Sequence, residues 1–177
     1  MNSPLVARLA VADDIPALKR LMERSIDGLL PDFLEPAQVI ASHEVMGLDT
    51  QLIEDATYYV VEIDGAPAGC GGWSRRATLF GGDHSAGRNA ALLDPATDAA
   101  RVRAMYTDPD FARRGIGRMI LQACEAAARA EGFTRLELAA TLAGGPLYRA
   151  CGFEPIERFE DRRPGRPVPL VRMGKAI

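Results

Sequence analysis

One loop carries most of the information in this sequence: Asp108-Pro109-Asp110-Phe111-Ala112-Arg113-Arg114-Gly115-Ile116-Gly117-Arg118. Before it, residues 101–107 alternate long polar and apolar side chains, as a β-strand does, and Asp108-Pro109 ends that pattern. After it, apolar residues recur at helical spacing from Ile116 to Ala128. The unit is therefore predicted to be a strand, a short loop and a helix.

This loop has the composition of an anion-binding site. The first N–H groups of a helix lack partners within it, and the helix dipole favours negative charge there. Gly115 and Gly117 are expected to remove the Cβ atoms that would keep a phosphate away from these amides. Arg113, Arg114 and Arg118 add positive charge at the same place. The pattern predicts a site matched in size to a pyrophosphate.

Other phosphate-binding loops fit this stretch less well. A P-loop ends in Gly-Lys-Ser/Thr, whereas Gly117 is followed by Arg118-Met119. A dinucleotide-binding loop needs a small residue at position 120, which is Ile120, although Glu137 lies near the place of its ribose-binding acid. An ordinary Gly-rich turn remains the simplest alternative, but three neighbouring arginines repel one another unless an anion offsets them.

Working outward from the loop, the remaining patterns predict a mixed α/β domain with the element order βααβββαβαββ. Strands are predicted at 5–9, 58–63, 68–73, 101–107, 135–140, 153–160 and 168–173. Helices are predicted after a cap at Asp13 or Asp14 and at 35–46, from 115 to about 131, and at 146–150. Residues 74–99 lack periodicity, which is typical of a functional or mobile loop.

The composition limits the classes of function. The chain has 177 residues, 47% of them hydrophobic, and a formal net charge of −3, which argues against a wide nucleic-acid surface. No apolar run is long enough to span a membrane, and the N-terminus lacks the layout of a signal peptide. Cys70, Cys124 and Cys151 suit buried thiols in a reducing compartment, so a cytoplasmic location is expected. With two histidines, no metal site is expected.

The loop resembles the cofactor-binding motif of the GNAT superfamily of N-acetyltransferases, Arg/Gln-x-x-Gly-x-Gly/Ala, at residues 112–117. The resemblance extends over residues 5–173 and is sharpest from 101 to 153. Position 112 departs from the motif because it is Ala112, but an amide cradle needs no side chain there. The resemblance implies a single domain over residues 1–177 with a mixed, mostly antiparallel sheet of about seven strands flanked by about four helices.

A second segment, Gly145 to Phe153, is similar to the family's hydrophobic-Tyr-x-x-x-Gly-Phe pattern. The resemblance implies acetyl-CoA as cosubstrate and places Tyr148 beside its sulfur as a catalytic residue; a packing aromatic is the alternative. The family's Asn before this Tyr is replaced by Thr141-Leu142-Ala143-Gly144. The implied cofactor-binding residues are Met105, Tyr106 and Thr107 through the main chain of the fourth strand, and Arg113, Arg114, Gly115, Ile116, Gly117 and Arg118.

The predicted reaction is direct attack of a primary amine on the thioester in a ternary complex. A backbone N–H near Met105 to Thr107 would polarise the carbonyl, and Tyr148 would protonate the departing thiolate, because a phenol with a pKa of about 10 stays protonated at neutral pH. The base stays open between Glu137, His84 and water. No His is near a Cys in sequence, so an acyl-cysteine intermediate is not expected.

The acceptor is left open between a small-molecule amine and a peptide amine. The loop from Trp73 to His84 lies where the family usually receives it, and Arg75 and Arg76 there would either meet an acidic group or only solubilise the loop. A homodimer is common among similar proteins, and the use of longer acyl-CoAs stays open. The alternatives are a non-catalytic acyl-CoA-sensing module and a nicotinamide-dependent oxidoreductase.

Overall fold

A computed structural model of the chain describes residues 3–163 and 165–177. The strands are β1 (Leu5–Leu9), β2 (Tyr58–Ile63), β3 (Ala66–Ser74), β4 (Ala100–Thr107), β5 (Arg135–Thr141), β6 (Glu154–Asp161) and β7 (Val168–Ala176). They form one seven-stranded sheet in the order β1-β2-β3-β4-β5-β7-β6. Every neighbouring pair is antiparallel except β4 and β5, which are parallel. The predicted mixed, mostly antiparallel sheet is confirmed.

The helices flank this sheet on both faces. They are α1 (Ile15–Leu29), α2 (Pro36–Val45), α3 (Gln51–Glu54), α4 (Ile116–Ala130) and α5 (Gly145–Ala150). The single turn of α3 was not predicted, because four residues are too few to show a helical period. None of the helices in the described ranges is long and apolar enough to cross a membrane.

The start of α1 differs from the predicted cap. Asp14 does not bond to the N–H groups of the helix; its carboxylate accepts from the N–H of Val11 at 2.8 Å. The same carboxylate also pairs with the guanidinium of Arg8 at 2.7 Å. Asp14 therefore ties the incoming chain to β1, and a short 3₁₀ turn over Ala12–Asp14 precedes the helix.

Helix α4 packs closely on glycines of β3. Its buried stripe is Ile116, Ile120, Cys124 and Ala128. A Cβ on Gly69 would lie 2.3 Å from Cγ2 of Ile116. A Cβ on Gly71 would lie 3.1 Å from Cγ2 of Ile120 and 2.2 Å from Sδ of Met105. Glycine at these positions therefore sets how near the helix comes to the sheet.

The sheet opens between its two parallel strands. β4 and β5 are paired only at Ala100 with Leu136 and at Arg101 with Glu137, and they diverge beyond these residues. Within β4, Ala104 has a φ of 50°, and the pairing with β3 shifts at the same place. The carbonyl of Ala104 accepts a hydrogen bond from the hydroxyl of Tyr58 at 2.6 Å. This bulge bends β4 away from β5 and leaves a gap in the sheet.

The long segment between β3 and β4 is an irregular hairpin and not an unsupported loop. The N–H of Thr78 donates to the carbonyl of Asn89 at 2.9 Å, and the N–H of Leu93 donates to the carbonyl of Arg75 at 2.8 Å. The ring of Phe80 packs on Phe159 of β6 with their centroids 5.7 Å apart. As the sequence predicted, this segment contains no named helix or strand among the described residues. Hydrogen bonds and packing nevertheless hold it in place.

Candidate active site

A cleft runs through the gap between β4 and β5 and joins the two faces of the sheet. One end lies at the start of α4 and at α5, where Gly117, Leu147 and Tyr148 line it. The other end lies between α1, the end of α2 and the β3–β4 segment. The middle is formed by β4 itself, from Val102 to Thr107. A ligand in this cleft therefore contacts the edge of β4 that has no partner strand.

The start of α4 leaves its backbone N–H groups without partners. None of the N–H groups from Arg113 to Arg118 donates to a protein acceptor in the described ranges; the first helical bond runs from Met119 N–H to the carbonyl of Gly115 at 3.0 Å. Arg113, Arg114 and Arg118 are exposed around them. The structure thus brings together the amides and the three cations that the sequence predicted for an anion site.

The two glycines of this loop serve different purposes. Gly115 has a φ of 86°, and a Cβ there would meet no protein atom within 4 Å, so the constraint is on its backbone. A Cβ on Gly117 would lie 2.5 Å from Cδ2 of Leu147. The missing side chain of Gly117 therefore makes room for α5, a contact that the sequence did not predict.

An ion-pair cluster holds the loop against α1. Asp108 caps the turn that follows β4 and accepts from the N–H of Asp110 at 2.9 Å. Its carboxylate also pairs with the guanidinium of Arg24 on α1 at 2.9 Å, and this bond lowers the pKa of Asp108 below its usual value. A Cβ on Gly28 would lie 2.5 Å from Cγ of Pro109. The backbone before the anion site is thus fixed in place.

The three β4 residues predicted to bind the cofactor all line the cleft. They are Met105, Tyr106 and Thr107. Tyr106 is anchored, because its hydroxyl accepts from the N–H of Gly47 at 2.8 Å, at the end of α2. Beyond Arg101 this strand has no pairing with β5, so the edge that faces the cleft is open to main-chain hydrogen bonds.

Tyr148 lies on α5 with 7% of its surface exposed, and it lines the cleft. Its ring packs edge-on against Phe153 with their centroids 5.9 Å apart. Its hydroxyl has no hydrogen-bond partner among the residues that the structure describes. Burial raises the pKa of Tyr148, so the phenol keeps its proton at neutral pH. The group is a proton donor facing the space where a ligand would lie.

The sequence matches the model of the acetyltransferase (GNAT) family over residues 25–153, which is more than half of the chain. The chain belongs to the GNAT family. Membership supports acyl-CoA binding and acetyl transfer as the general chemistry.

Solved structures show the same fold over nearly the whole chain. A GCN5-related N-acetyltransferase from Rhodopseudomonas palustris gives a TM-score of 0.73 at 18% identity and covers 100% of this chain and 98% of its own. PaiA N-acetyltransferase from Thermoplasma acidophilum, in complex with coenzyme A, gives 0.67 at 11% identity over 98% and 99%. The ribosomal-protein-S18-alanine N-acetyltransferase from Escherichia coli gives 0.59 at 17% identity over 98% and 94%. No curated protein matches the sequence.

Neither candidate base of this GNAT protein lines the cleft. Glu137 has its Oε2 3.0 Å from Nη1 of Arg101 and 3.6 Å from Nε of Arg172, so its charge is matched within the sheet. The Nε2 of His84 lies 2.9 Å from the carbonyl oxygen of His43. In the described ranges the cleft is lined by no Asp, Glu, His or Lys. Among the three candidates, this placement favours water.

A buried charge cluster supports the cleft wall, and the sequence did not predict it. Arg103 of β4 is 3% exposed and pairs with Asp49 at 3.1 Å. It also donates to the carbonyl of Gly81 at 2.6 Å, while Arg88 pairs with Asp49 at 2.5 Å. This cluster holds residues 79–81 of the β3–β4 segment beside β4. Nothing in the sequence distinguished Arg103 from Arg101, because both occupy polar positions in the alternation of β4.

The other arginines of this segment point away from the cleft. Arg75 pairs with Glu131 at 2.6 Å, and Arg76 pairs with Asp55 at 2.7 Å. Trp73 is 2% exposed and packs on Phe133, which places it in the core. Arg75 and Arg76 therefore fasten the segment to its neighbours, and neither lines the proposed acceptor path.

Proposed function

We propose that this GNAT protein is an N-acetyltransferase that passes the acetyl group of acetyl-CoA to a primary amine, by direct attack in a ternary complex. The observation that carries the proposal is the continuous path from the open amides at the start of α4, along the unpaired edge of β4, to the hydroxyl of Tyr148. A long substrate with an anionic end and a thioester end fits such a path.

The anionic end of acetyl-CoA is expected at the start of α4. Its pyrophosphate would accept from the N–H groups between Arg113 and Arg118, and the side chains of Arg113, Arg114 and Arg118 would neutralise its charge. The pantetheine arm would then bond to the open main chain of Met105, Tyr106 and Thr107. This arrangement would leave the thioester in the gap between β4 and β5.

The reaction needs one bond made and one bond broken. The amine nitrogen attacks the thioester carbon, a backbone N–H of β4 stabilises the oxyanion, and the C–S bond then breaks. Tyr148 supplies a proton to the departing sulfur. The proton lost by the amine then returns to the Tyr148 phenolate through water, since no carboxylate or imidazole among the described residues lines the cleft. Direct attack without an acyl-enzyme agrees with the burial of Cys70 and Cys124.

The free thiols also support a cytoplasmic location, which we propose together with a single domain over the chain. Cys70, Cys124 and Cys151 are all unpaired in the structure, and two of them are buried. Burial raises the pKa of Cys70 to about 12, which makes that thiol a poor nucleophile at neutral pH. A covalent acetyl-cysteine is therefore not part of the proposed mechanism.

The test is release of coenzyme A from acetyl-CoA in the presence of a library of primary amines, with mass spectrometry of the acceptors. We expect amine-dependent thiol release and acceptors that are heavier by one acetyl group. Calorimetric titration with acetyl-CoA and with NAD, run side by side, should show binding of acetyl-CoA alone. Binding without turnover on any amine would identify a sensing module, and binding of NAD in its place would overturn the assignment.

A further inference from the structure

The cleft has two ends, and they differ in chemistry. The end at α4 and α5 adjoins the amides and arginines of the anion site. The opposite end lies on the other face of the sheet, below α1 and α2. Since acetyl-CoA would fill the first end, the amine has to reach the thioester from the second. This reasoning rests on the proposed function.

The walls of this second end are almost entirely apolar. They are formed by side chains of α1 and α2, of the residues directly after these helices and of the β3–β4 segment: Ile26, Leu29, Leu30, Val45, Met46 and Phe80. Ser25 is the polar side chain on the α1 wall, and a hydroxyl carries no charge. These surfaces favour contact with a hydrocarbon body through the hydrophobic effect.

Among the described residues, no carboxylate lines this end of the cleft to pair with a second positive charge. The one charged side chain lining the cleft in the described ranges is Arg103, a cation. Its guanidinium is already bonded to Asp49 and to the carbonyl of Gly81. A second ammonium group on the acceptor would therefore lose its water without gaining a carboxylate, and it would approach a like charge.

We propose that the acceptor is a primary amine carried on an apolar body without another charge, such as an alkylamine or arylalkylamine. Polyamines, amino sugars with several amino groups and peptides with basic side chains are disfavoured by the same wall. The amine itself is the only polar group that has to be accommodated, and it meets the thioester in the gap between β4 and β5.

The experiment compares hexylamine with 1,6-diaminohexane. The two acceptors share a six-carbon chain, and only the diamine carries a second ammonium group at its far end. We expect kcat/KM for hexylamine to exceed that for the diamine by about tenfold or more, because an unpaired charge is costly to desolvate. In the series from butylamine to hexylamine, each added methylene should raise kcat/KM about two- to fourfold as it is buried.

A matched pair of variants tests whether this wall determines the preference for hexylamine over the diamine. Leu29→Glu puts a carboxylate at the half-buried end of α1, and Leu29→Gln has nearly the same shape without the charge. Leu29→Glu should shift the preference toward the diamine by about tenfold relative to Leu29→Gln, as an ion pair replaces an unpaired charge. Thermal melting of both variants checks that they fold.

The outcomes separate the two proposals. Preference for hexylamine supports the apolar acceptor. Equal or better use of the diamine, or of a peptide with basic side chains, overturns it while the transferase assignment stands. If no amine in the library is acetylated although acetyl-CoA binds, the proposed transferase function fails, and this inference fails with it.

Discussion

The hydroxyl of Tyr148 has no partner in the described structure, and burial keeps it protonated. We predict that Tyr148→Phe lowers kcat about tenfold to a hundredfold, because the departing thiolate loses its proton donor. The ring stays in place against Phe153, so the affinity for acetyl-CoA should change little. Steady-state kinetics and calorimetry measure the two effects separately.

The control for this substitution is Tyr59→Phe. Tyr59 is half-buried on β2 and does not line the cleft. The substitution therefore removes a tyrosine hydroxyl that lies away from the cleft. Its kcat should equal that of the unchanged protein. An unaltered kcat for Tyr148→Phe would remove Tyr148 from the mechanism and leave it as a packing aromatic.

The cysteines differ in their predicted reactivity. Burial raises the pKa of Cys70 to about 12 and that of Cys124 still further, while Cys151 is only half-buried. At pH 8 the Cys70 thiol would therefore be almost entirely protonated. Alkylation of the folded protein followed by peptide mapping should therefore modify Cys151 first, and Cys70 and Cys124 only after unfolding. Rapid loss of Cys70 from the folded protein would contradict its burial.

At the scale of elements, the contact between α4 and β3 depends on glycine. Gly69→Ala should destabilise the protein by about 1–3 kcal/mol, because the new methyl group meets Cγ2 of Ile116. Ile116→Ala removes that atom, so the double variant should be less destabilised than the sum of the two single variants. Urea unfolding measures all three. Strict additivity would show that the two residues are not in conflict.

The contact between α4 and α5 makes a second prediction. Gly117→Ala should weaken binding of coenzyme A, because its methyl group displaces Leu147 and with it the helix that carries Tyr148. Leu147→Ala, added to it, should restore part of the affinity. Titration calorimetry measures the affinity for coenzyme A. Partial recovery in the double variant would show that displacement of Leu147 caused the loss, whereas no recovery would mean that the methyl group blocks the phosphate itself.

For the whole molecule, stability should fall steeply in acid. The pKa values of four carboxylates are lowered by a hydrogen-bonded arginine: Asp14, Asp55, Asp108 and Asp161. An unfolded Asp titrates near about pH 4, so these pairs contribute their full stability above that pH. The contribution is lost as the pH falls through the lower folded pKa values.

Asp55→Asn tests this pH dependence, because Asp55 joins α3 to Arg76 of the β3–β4 segment at 2.7 Å. The variant should be less stable than the unchanged protein at pH 7, and the difference should shrink at pH 3, as followed by urea unfolding. Glu157→Gln, on the exposed face of β6, is the control and should change neither value. A difference that grows on acidification would refute the sign of the effect.

Much of the fold follows from short-range patterns in the sequence. The alternation in β4 and the helical spacing of apolar residues in α4 each depend on residues within one element, so the sequence alone predicted the seven strands and four of the five helices of the described residues. The proposed anion site is equally local, because its amides and arginines lie within residues 113–118.

The tertiary structure decided what depends on distant parts of the chain. The divergence of β4 from β5 requires the bulge at Ala104, whose carbonyl is bound by Tyr58, 46 residues earlier. Arg103 meets Asp49 across 54 residues, and Glu137 is turned away from the cleft by Arg101. A sequence pattern shows which face of a strand a side chain occupies. It does not show the charge partner of that side chain, because residues distant in sequence come together only when the loops between them close and the sheet assembles.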